Sequence, residues 1–178
     1  YWGTSPSNGG NPFQKQAKML SYARGTRDDF SYAVVDPSVT NAVKYASSDK
    51  GRWIAIKPGT DSALAMAMIR WIIENEKYAT NYLIQPNLDQ AKLAGEIHWC
   101  NATHLVITEK GHKDYGKFAL INNEWQVCSQ DGKIQSYKVN EPAKLYYKGK
   151  ILIDGKKVEV KSSMQLLKES AYKHSLEE

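Results

Sequence analysis

The sequence predicts an α/β protein: a Rossmann-like three-layer parallel sheet with helices on both faces, plus a small β-rich insertion. Residues 32–35 and 53–56 are short apolar runs typical of buried strands, and a helical pattern follows each. Strands that alternate with helices through short links form parallel sheets with right-handed crossovers. After residue 87 the pattern changes to short β-like runs separated by Asn-Asn and Asp-Gly pairs, which indicate hairpins.

Helical periodicity accounts for much of the remaining chain. Helices are predicted at 13–24, 40–46, 63–75 and 164–174, with one further helical turn at 78–83. Asn11 and Pro12 are a suitable cap and first residue for the first helix, Gly25 suits its end, and Thr40 can cap the second.

The β-like runs and the change of pattern define three regions. Residues 1–87 are predicted to form an α/β region, 88–143 a β-rich insertion, and 144–178 the return strands and helix of the α/β domain. The β-like runs are 105–108, 117–121, 125–128, 144–148 and 150–160.

Composition sets the class of protein. The chain has 178 residues, 42% of them hydrophobic, and a net charge of +5. Its lysines are scattered and form no run, so they indicate a solvated surface and no nucleic-acid partner. The longest apolar stretch, residues 63–73, contains Arg70 and is too short to cross a bilayer.

The cysteines and histidines give no metal or catalytic pattern. Cys100 and Cys128 have no CxxC partner, and they are either buried thiols or one disulfide. The four histidines are irregularly spaced, and no Ser–His–Asp arrangement stands out. We therefore assign no catalytic residue and no metal ligand.

Two strand-to-turn junctions predict a ligand site. The run from Ile54 to Leu64 reads as a strand, a Pro-Gly turn and the start of a helix, where Thr60 or Asp61 caps and the other faces a ligand. Asp36 ends the preceding strand. An Asp at each junction predicts a nucleotide crevice at the carboxyl ends of parallel strands.

Each of these features also has a simpler interpretation. The Gly-rich stretch 3–12 either cradles phosphates or is a plain surface loop. Asp36 either accepts from a ribose hydroxyl or stabilises the turn before Pro37. Asp61 either accepts hydrogen bonds from a guanine edge or complements the helix dipole.

Three motifs in a fixed order resemble one family. They are Trp-Gly-Thr-Ser-Pro at 2–6, Val-Val-Asp-Pro-Ser at 34–38 and Lys-Pro-Gly-Thr-Asp at 57–61. Together they resemble the molybdopterin oxidoreductases of the dimethyl-sulfoxide-reductase type, whose motifs are Gly-x-Asn-Pro, Asp-Pro-Arg and Pro-Gly-Thr-Asp. Ser5 and Ser38 depart from the family's Asn and Arg.

The resemblance implies that this region holds the guanosine diphosphate part of a molybdopterin guanine dinucleotide. By matching positions it implies Gly3, Thr4, Ser5 and Asn8 at the pyrophosphate, Asp36 and Ser38 at the ribose, and Gly59 and Asp61 at the guanine. A carboxylate can accept both N–H groups of a guanine edge as a bidentate pair.

The resemblance also implies a larger enzyme. We expect an internal piece of a catalytic subunit that binds two molybdopterin guanine dinucleotides, one molybdenum and a 4Fe–4S cluster, whereas the chain alone binds none and is inactive. The implied partners are the remainder of that polypeptide, a membrane anchor and an iron–sulfur electron-transfer subunit, working in anaerobic respiration in the periplasm. The implied reaction is the two-electron reduction of tetrathionate to thiosulfate, and another sulfur compound or arsenate is the alternative substrate. A freestanding nucleotide-binding α/β module is the alternative.

Overall fold

The computed structural model describes residues 1–5, 8–10, 13–41, 43 and 51–175. These residues form a mixed α/β structure with five helices and eight strands. The chain divides into two compact units, Tyr1–Ser62 and Ala63–Glu178. The predicted cap at Asn11 and Pro12 and most of the predicted helix 40–46 lie outside the described residues.

The first unit contains one helix and two parallel strands. Helix α1 spans Phe13–Thr26, strand β1 spans Tyr32–Val35 and strand β2 spans Gly51–Ile54. Strand β1 lies where the sequence predicts it. Helix α1 continues through Gly25, its predicted end, to Thr26, and β2 begins two residues before the predicted start at Trp53 and ends two residues before the predicted end at Ile56. The strands pair from Tyr32↔Gly51 to Val35↔Ile54.

A small apolar cluster supports these strands. Val34 and Val43 are fully buried, and Tyr1 and Tyr32 pack against them. Near the start of the predicted second helix, the backbone N–H of Val43 donates to Oγ1 of Thr40 at 3.4 Å, which is the bond expected of a capping threonine.

The α/β class is confirmed, but the three-layer parallel sheet is not. In the described part of the chain, parallel pairing is limited to β1 with β2 and a single bridge between Trp2 and Val35. The other sheets are antiparallel, and short turns join most of their neighbouring strands, whereas a parallel sheet would need crossover helices.

Four helices follow the first unit's strands in the chain. They are α2 Asp61–Glu74, α3 Thr80–Leu83, α4 Leu88–Leu93 and α5 Ser163–His174. Three of these match predicted helices, whereas α4 lies in the region predicted to be β-rich. Its N-cap is Asn87, whose side-chain oxygen accepts from the Gln90 N–H at 2.9 Å. None of the described helices is both long and apolar enough to cross a membrane.

Two three-stranded antiparallel sheets complete the second unit, with orders β3-β8-β7 and β4-β5-β6. The strands are β3 Leu105–Ile107, β4 Leu120–Ile121, β5 Glu124–Cys128, β6 Ile134–Ser136, β7 Lys148–Ile153 and β8 Lys156–Ser162.

Both Asp-Gly hairpins predicted from the sequence are confirmed. Asp154 and Gly155 join β7 to β8 with φ of 50° and 75°, the positive values that a two-residue type I′ turn requires. Asp131 and Gly132 lie in the turn between β5 and β6.

The predicted strand at 144–148 is wrong, because its backbone groups bond to several different segments. Lys144 N–H donates to the Cys128 carbonyl at 2.7 Å, and Tyr147 N–H donates to the Ser162 hydroxyl at 3.1 Å. The segment's bonds go to two separated residues, one of them through a side-chain hydroxyl, so residues 144–147 make no regular ladder and strand β7 begins only at Lys148.

Two apolar clusters form the core of the second unit. One consists of apolar side chains of β3, β7 and β8, among them Leu105, Ile151 and Val160. In the other, Ile73 of α2 packs with Leu145 and Met164. By contrast, Met68 and Trp71 of the same helix are 50% and 58% exposed.

His104 is a deeply buried titratable group of the second unit. It is 1% exposed, and its Nε2 lies 3.0 Å from the Pro86 carbonyl. Four aromatic rings lie with centroids 5.4–5.7 Å from its own: Trp99, Phe118, Trp125 and Tyr137. Burial lowers its pKa below the ordinary value, because the enclosure disfavours the charged imidazolium.

We predict that acid destabilises the second unit through His104. The unfolded chain binds this proton near the ordinary pKa of about 6.5, whereas the folded chain binds it only at lower pH. The free energy of unfolding should therefore fall as the pH drops below that value, by at most about 1.4 kcal/mol per pH unit from this residue. Urea unfolding of the chain between pH 8 and pH 5 measures the slope.

The matched variants are His104→Gln and His98→Gln, since His98 is exposed. The first should unfold more easily overall but lose part of the acid slope, and the second should retain the slope. An unchanged slope in His104→Gln would show that another group causes the acid sensitivity.

Candidate functional site

Three backbone segments of the first unit run parallel and end at one edge. Val35 N–H donates to the Tyr1 carbonyl at 2.8 Å, and Gly3 N–H donates to the Val35 carbonyl at 2.9 Å. On the other side of β1, Asp36 N–H donates to the Ile54 carbonyl at 3.2 Å. The chain therefore leaves this edge at three places: at Gly3, at Asp36 and after Ile54. The first is the start of the Gly-rich stretch, and the other two are the predicted strand-to-turn junctions.

The turn after β2 is built by Lys57, Pro58, Gly59 and Thr60. Thr60 N–H donates to the Lys57 carbonyl at 3.1 Å, and φ of Gly59 is +86°. Pro followed by a residue of positive φ is typical of a type II turn. The Thr60 hydroxyl also donates to the Lys57 carbonyl, at 2.7 Å, so it stabilises the turn.

Asp61 is the first residue of α2, and its carboxylate is exposed. Its Oδ1 accepts a hydrogen bond of 2.5 Å from the indole N–H of Trp2. The backbone of Trp2 bridges Val35, the residue before Asp36. Asp36 and Asp61 therefore belong to the same edge of the unit, joined through Trp2.

Asp36 is buried, with 8% of its surface exposed. Its Oδ1 accepts from the backbone N–H of Ser38 at 2.8 Å, and its backbone carbonyl accepts from the Trp53 indole at 2.9 Å. The turn-stabilising interpretation of Asp36 thus accounts for one oxygen. Within the described residues Oδ2 takes no hydrogen bond, and it remains available to a hydroxyl donor.

The described part of the Gly-rich stretch folds back on Ser5. The Ser5 carbonyl accepts from the N–H groups of Asn8 and Gly9 at 3.0 and 3.1 Å. The Asn8 side-chain oxygen accepts from the Asn41 amide at 3.2 Å. Gly3 has φ of +59°, and Thr4 is half-buried.

One buried polar atom in this stretch has no partner among the residues that the structure describes. Oγ of Ser5 is shielded from solvent and makes no hydrogen bond within the described residues. A buried hydroxyl without a partner is costly, so it indicates a donor or acceptor still to be supplied. Space is open where a Cβ would stand on Gly3 or Gly59, which leaves both backbones accessible.

These groups fit a guanosine diphosphate in type. Two carboxylates, on Asp36 and Asp61, accept hydrogen bonds from hydroxyl and N–H donors. The Ser5 hydroxyl can donate to a phosphate oxygen or accept from a hydroxyl. The chemistry of these groups suits a ligand that carries N–H and O–H donors, and none of these side chains forms a nucleophile–base pair.

Sequence reasoning missed the indole of Trp2. Trp2 stands next to Gly3 in the first motif, but only the backbone of that motif entered the prediction. An indole offers a single N–H donor, and it shows its partner only when the strands are paired. Trp53, in the strand predicted at 53–56, is 38% exposed, and its indole N–H donates to the Asp36 carbonyl.

The chain belongs to the molybdopterin oxidoreductase family, because the family model matches residues 2–174. It is 40% identical over 99% of its length to a tetrathionate reductase subunit of Salmonella typhimurium, covering 18% of that protein. It is 36% identical over 82% of its length to a selenate reductase subunit of Mesobacillus selenatarsenatis, covering 14% of that protein. A tetrathionate reductase subunit of Archaeoglobus fulgidus is 34% identical over 71% of the chain, which covers 11% of it. The chain thus spans less than a fifth of the length of these relatives.

We predict that Gly59→Ala destabilises the first unit by about 1 kcal/mol, because a Cβ at φ of +86° is strained even where space is open. Gly10→Ala is the control, since Gly10 has open space and no such φ. Urea unfolding should separate the two variants. Equal stability would mean that the turn does not need a left-handed residue.

Proposed function

We propose that this chain holds the guanosine diphosphate part of a molybdopterin guanine dinucleotide within the catalytic subunit of a molybdenum reductase. The observation that carries the proposal is the convergence of Gly3, Asp36 and Asp61 on one edge of parallel backbone segments. In α/β folds this edge is where nucleotides bind. Family membership supports the choice of a molybdopterin cofactor.

Each group at the edge has a role that suits its chemistry. The exposed carboxylate of Asp61, beside the open backbone of Gly59, accepts the N–H donors of guanine. Oδ2 of Asp36 accepts from a ribose hydroxyl, with Ser38 beside it. The Gly-rich stretch, through Gly3, Thr4, Ser5 and Asn8, approaches the pyrophosphate. In this scheme the unpaired Ser5 hydroxyl gains its partner from the ligand.

The three-layer parallel sheet predicted from the sequence is part of the same proposal. We infer that β1, β2 and the Trp2 segment are part of a larger parallel sheet in the full-length subunit. Such a sheet would be the Rossmann-like three-layer structure that the sequence predicts. The two parallel pairings of Val35, one on each side of β1, support this inference.

For the whole enzyme we propose tetrathionate reduction. Two electrons cleave the central S–S bond of tetrathionate and release two thiosulfate ions. The molybdenum centre, with its second guanine dinucleotide and a 4Fe–4S cluster, supplies the electron transfer when bound, whereas this chain's residues bind and orient one cofactor arm. Identity of 40% with a tetrathionate reductase subunit supports this substrate.

The partners and location extend the proposal. The relatives' names describe each of them as one subunit of a reductase, which supports further subunits in the assembly. We propose a membrane-anchor subunit together with an iron–sulfur electron-transfer subunit, with the complex in the periplasm and serving anaerobic respiration. The scattered lysines support no nucleic-acid role.

Similarity to proteins with different substrates favours cofactor binding as this chain's own role. The relatives are named for tetrathionate, for selenate and, at 28% identity over 94% of the chain, for sulfite. A segment shared by enzymes with different substrates serves what they have in common, and positioning the cofactor is such a function.

We predict that Asp61→Asn in the full-length subunit lowers its content of guanine nucleotide, because an amide offers one acceptor and repels one guanine N–H. Loss of a hydrogen bond to a charged group is worth roughly tenfold to a hundredfold in affinity. Acid hydrolysis of purified enzyme, followed by chromatography of the GMP released per polypeptide, measures the content.

Asp89→Asn is the matched control, since Asp89 is an exposed Asp in the first turn of α4. It should leave the GMP content unchanged. Full GMP content in Asp61→Asn would count against the guanine assignment.

Selenate is the specific alternative substrate, favoured by the 36% identity with a selenate reductase subunit. Purified holoenzyme with a reduced viologen donor should oxidise the dye faster with tetrathionate than with selenate at equal concentration. The 178-residue chain alone should show no turnover with either. A preference for selenate would leave the proposed cofactor-binding role unchanged, but selenate would then replace tetrathionate as the proposed substrate.

A further inference from the structure

The Trp2 indole, which donates to Asp61, is held in place by the backbone hydrogen bonds that form the candidate site. The Trp2 indole N–H reaches Oδ1 of Asp61 at 2.5 Å, across 59 residues of sequence. The hydrogen bonds between Val35 and Tyr1, and between Gly3 and Val35, flank Trp2 on both sides. The indole is therefore fixed by the same pairing that forms the edge.

The single hydrogen bond from the Trp2 indole leaves acceptor positions free on the Asp61 carboxylate. An ionised carboxylate has about four acceptor positions on its two oxygens, and an indole N–H fills one of them. A guanine edge requires two, for N1–H and N2–H. Trp2 and a guanine can therefore bind the same carboxylate together, and indole has no acceptor with which to compete for the guanine donors.

We propose that Trp2 is a positioning residue for the guanine site: its indole N–H fixes the rotamer of Asp61 so that both oxygens face the purine. The inference rests on the proposed guanosine-binding function and adds a specific residue to it. An exposed Asp at the start of a helix otherwise rotates freely, and binding would have to order it. Fixing it beforehand lowers that cost.

Because the hydrogen bond between Trp2 and Asp61 is exposed, we expect it to contribute more to ligand binding than to the stability of the fold. Trp2 is 38% exposed and Asp61 is exposed. A hydrogen bond in contact with water adds little to folding, because water replaces it when it is lost. Removing the indole N–H should therefore affect ligand retention much more than thermal stability.

The test is Trp2→Phe in the full-length holoenzyme, which retains an aromatic ring and removes the N–H. Cofactor release on incubation in mild urea, followed as GMP-containing material that passes an ultrafiltration membrane, should be about tenfold faster than in the wild type. The Tm should stay within a few degrees of wild type. Trp71→Phe is the control, because Trp71 is an exposed tryptophan of α2, and its release rate should not change.

A double-mutant cycle separates positioning from a general structural effect. If Trp2 acts through the carboxylate, then Trp2→Phe should change release less than about twofold in an Asp61→Asn background. A tenfold effect that persists in that background overturns the inference. Wild-type release from Trp2→Phe alone also overturns it, whereas wild-type release from Asp61→Asn would overturn the proposed function itself.

Spectroscopy of the holoenzyme tests the contact directly. The ultraviolet resonance Raman band of indole that responds to N–H hydrogen bonding is isolated for Trp2 by subtracting the Trp2→Phe spectrum. It should shift towards the weakly bonded position in Asp61→Asn, because the acceptor loses its charge. A band that does not move in Asp61→Asn shows that the indole has another acceptor, and the inference then fails.

Discussion

Pairing of β1 with a parallel neighbour on each side is the constraint on which the candidate site depends. Val35 bonds to the Tyr1–Gly3 segment through both its N–H and its carbonyl, and the next residue, Asp36, bonds to Ile54. These bonds bring together residues that are well separated in sequence, such as Trp2 and Val35. A shift of one residue in the register would turn each side chain to the opposite face, and Trp2 would no longer reach Asp61.

The two carboxylates of the edge are held in different ways, and the difference suits their proposed ligands. Asp36 is buried and closes its own turn through the Ser38 N–H, so one oxygen is fixed by local backbone. Asp61 is exposed and is fixed through the distant Trp2. A ribose hydroxyl needs a single acceptor and a guanine edge needs two, and each carboxylate keeps at least that many acceptor positions free.

Local signals in the sequence predicted local structure well. The apolar run of β1, the Pro58-Gly59 turn and the Asp154-Gly155 hairpin each depend on a few neighbouring residues, and the structure confirms them. Helix α4 was not predicted although its cap is local, since the Asn87 side chain accepts from the Gln90 N–H. The irregular run at 144–147 was not predicted because its form depends on distant partners. The Tyr147 N–H, for example, donates to the hydroxyl of Ser162, and no periodic pattern of residues in the sequence predicts such a contact. The eight site residues remain predictions, since they are identified by the family motifs.

A neutral indole beside Asp61 suits a guanine site better than a cation would. A lysine or arginine there would also fix the carboxylate, but it would neutralise its charge and could occupy several of its acceptor positions. The indole orients the carboxylate through one bond and leaves its negative charge for the N–H donors of a purine. Trp2 directly precedes the Gly-rich stretch proposed for the pyrophosphate. In the proposed site, retention of the guanine and approach to the phosphates therefore both depend on the backbone pairing of this one short segment.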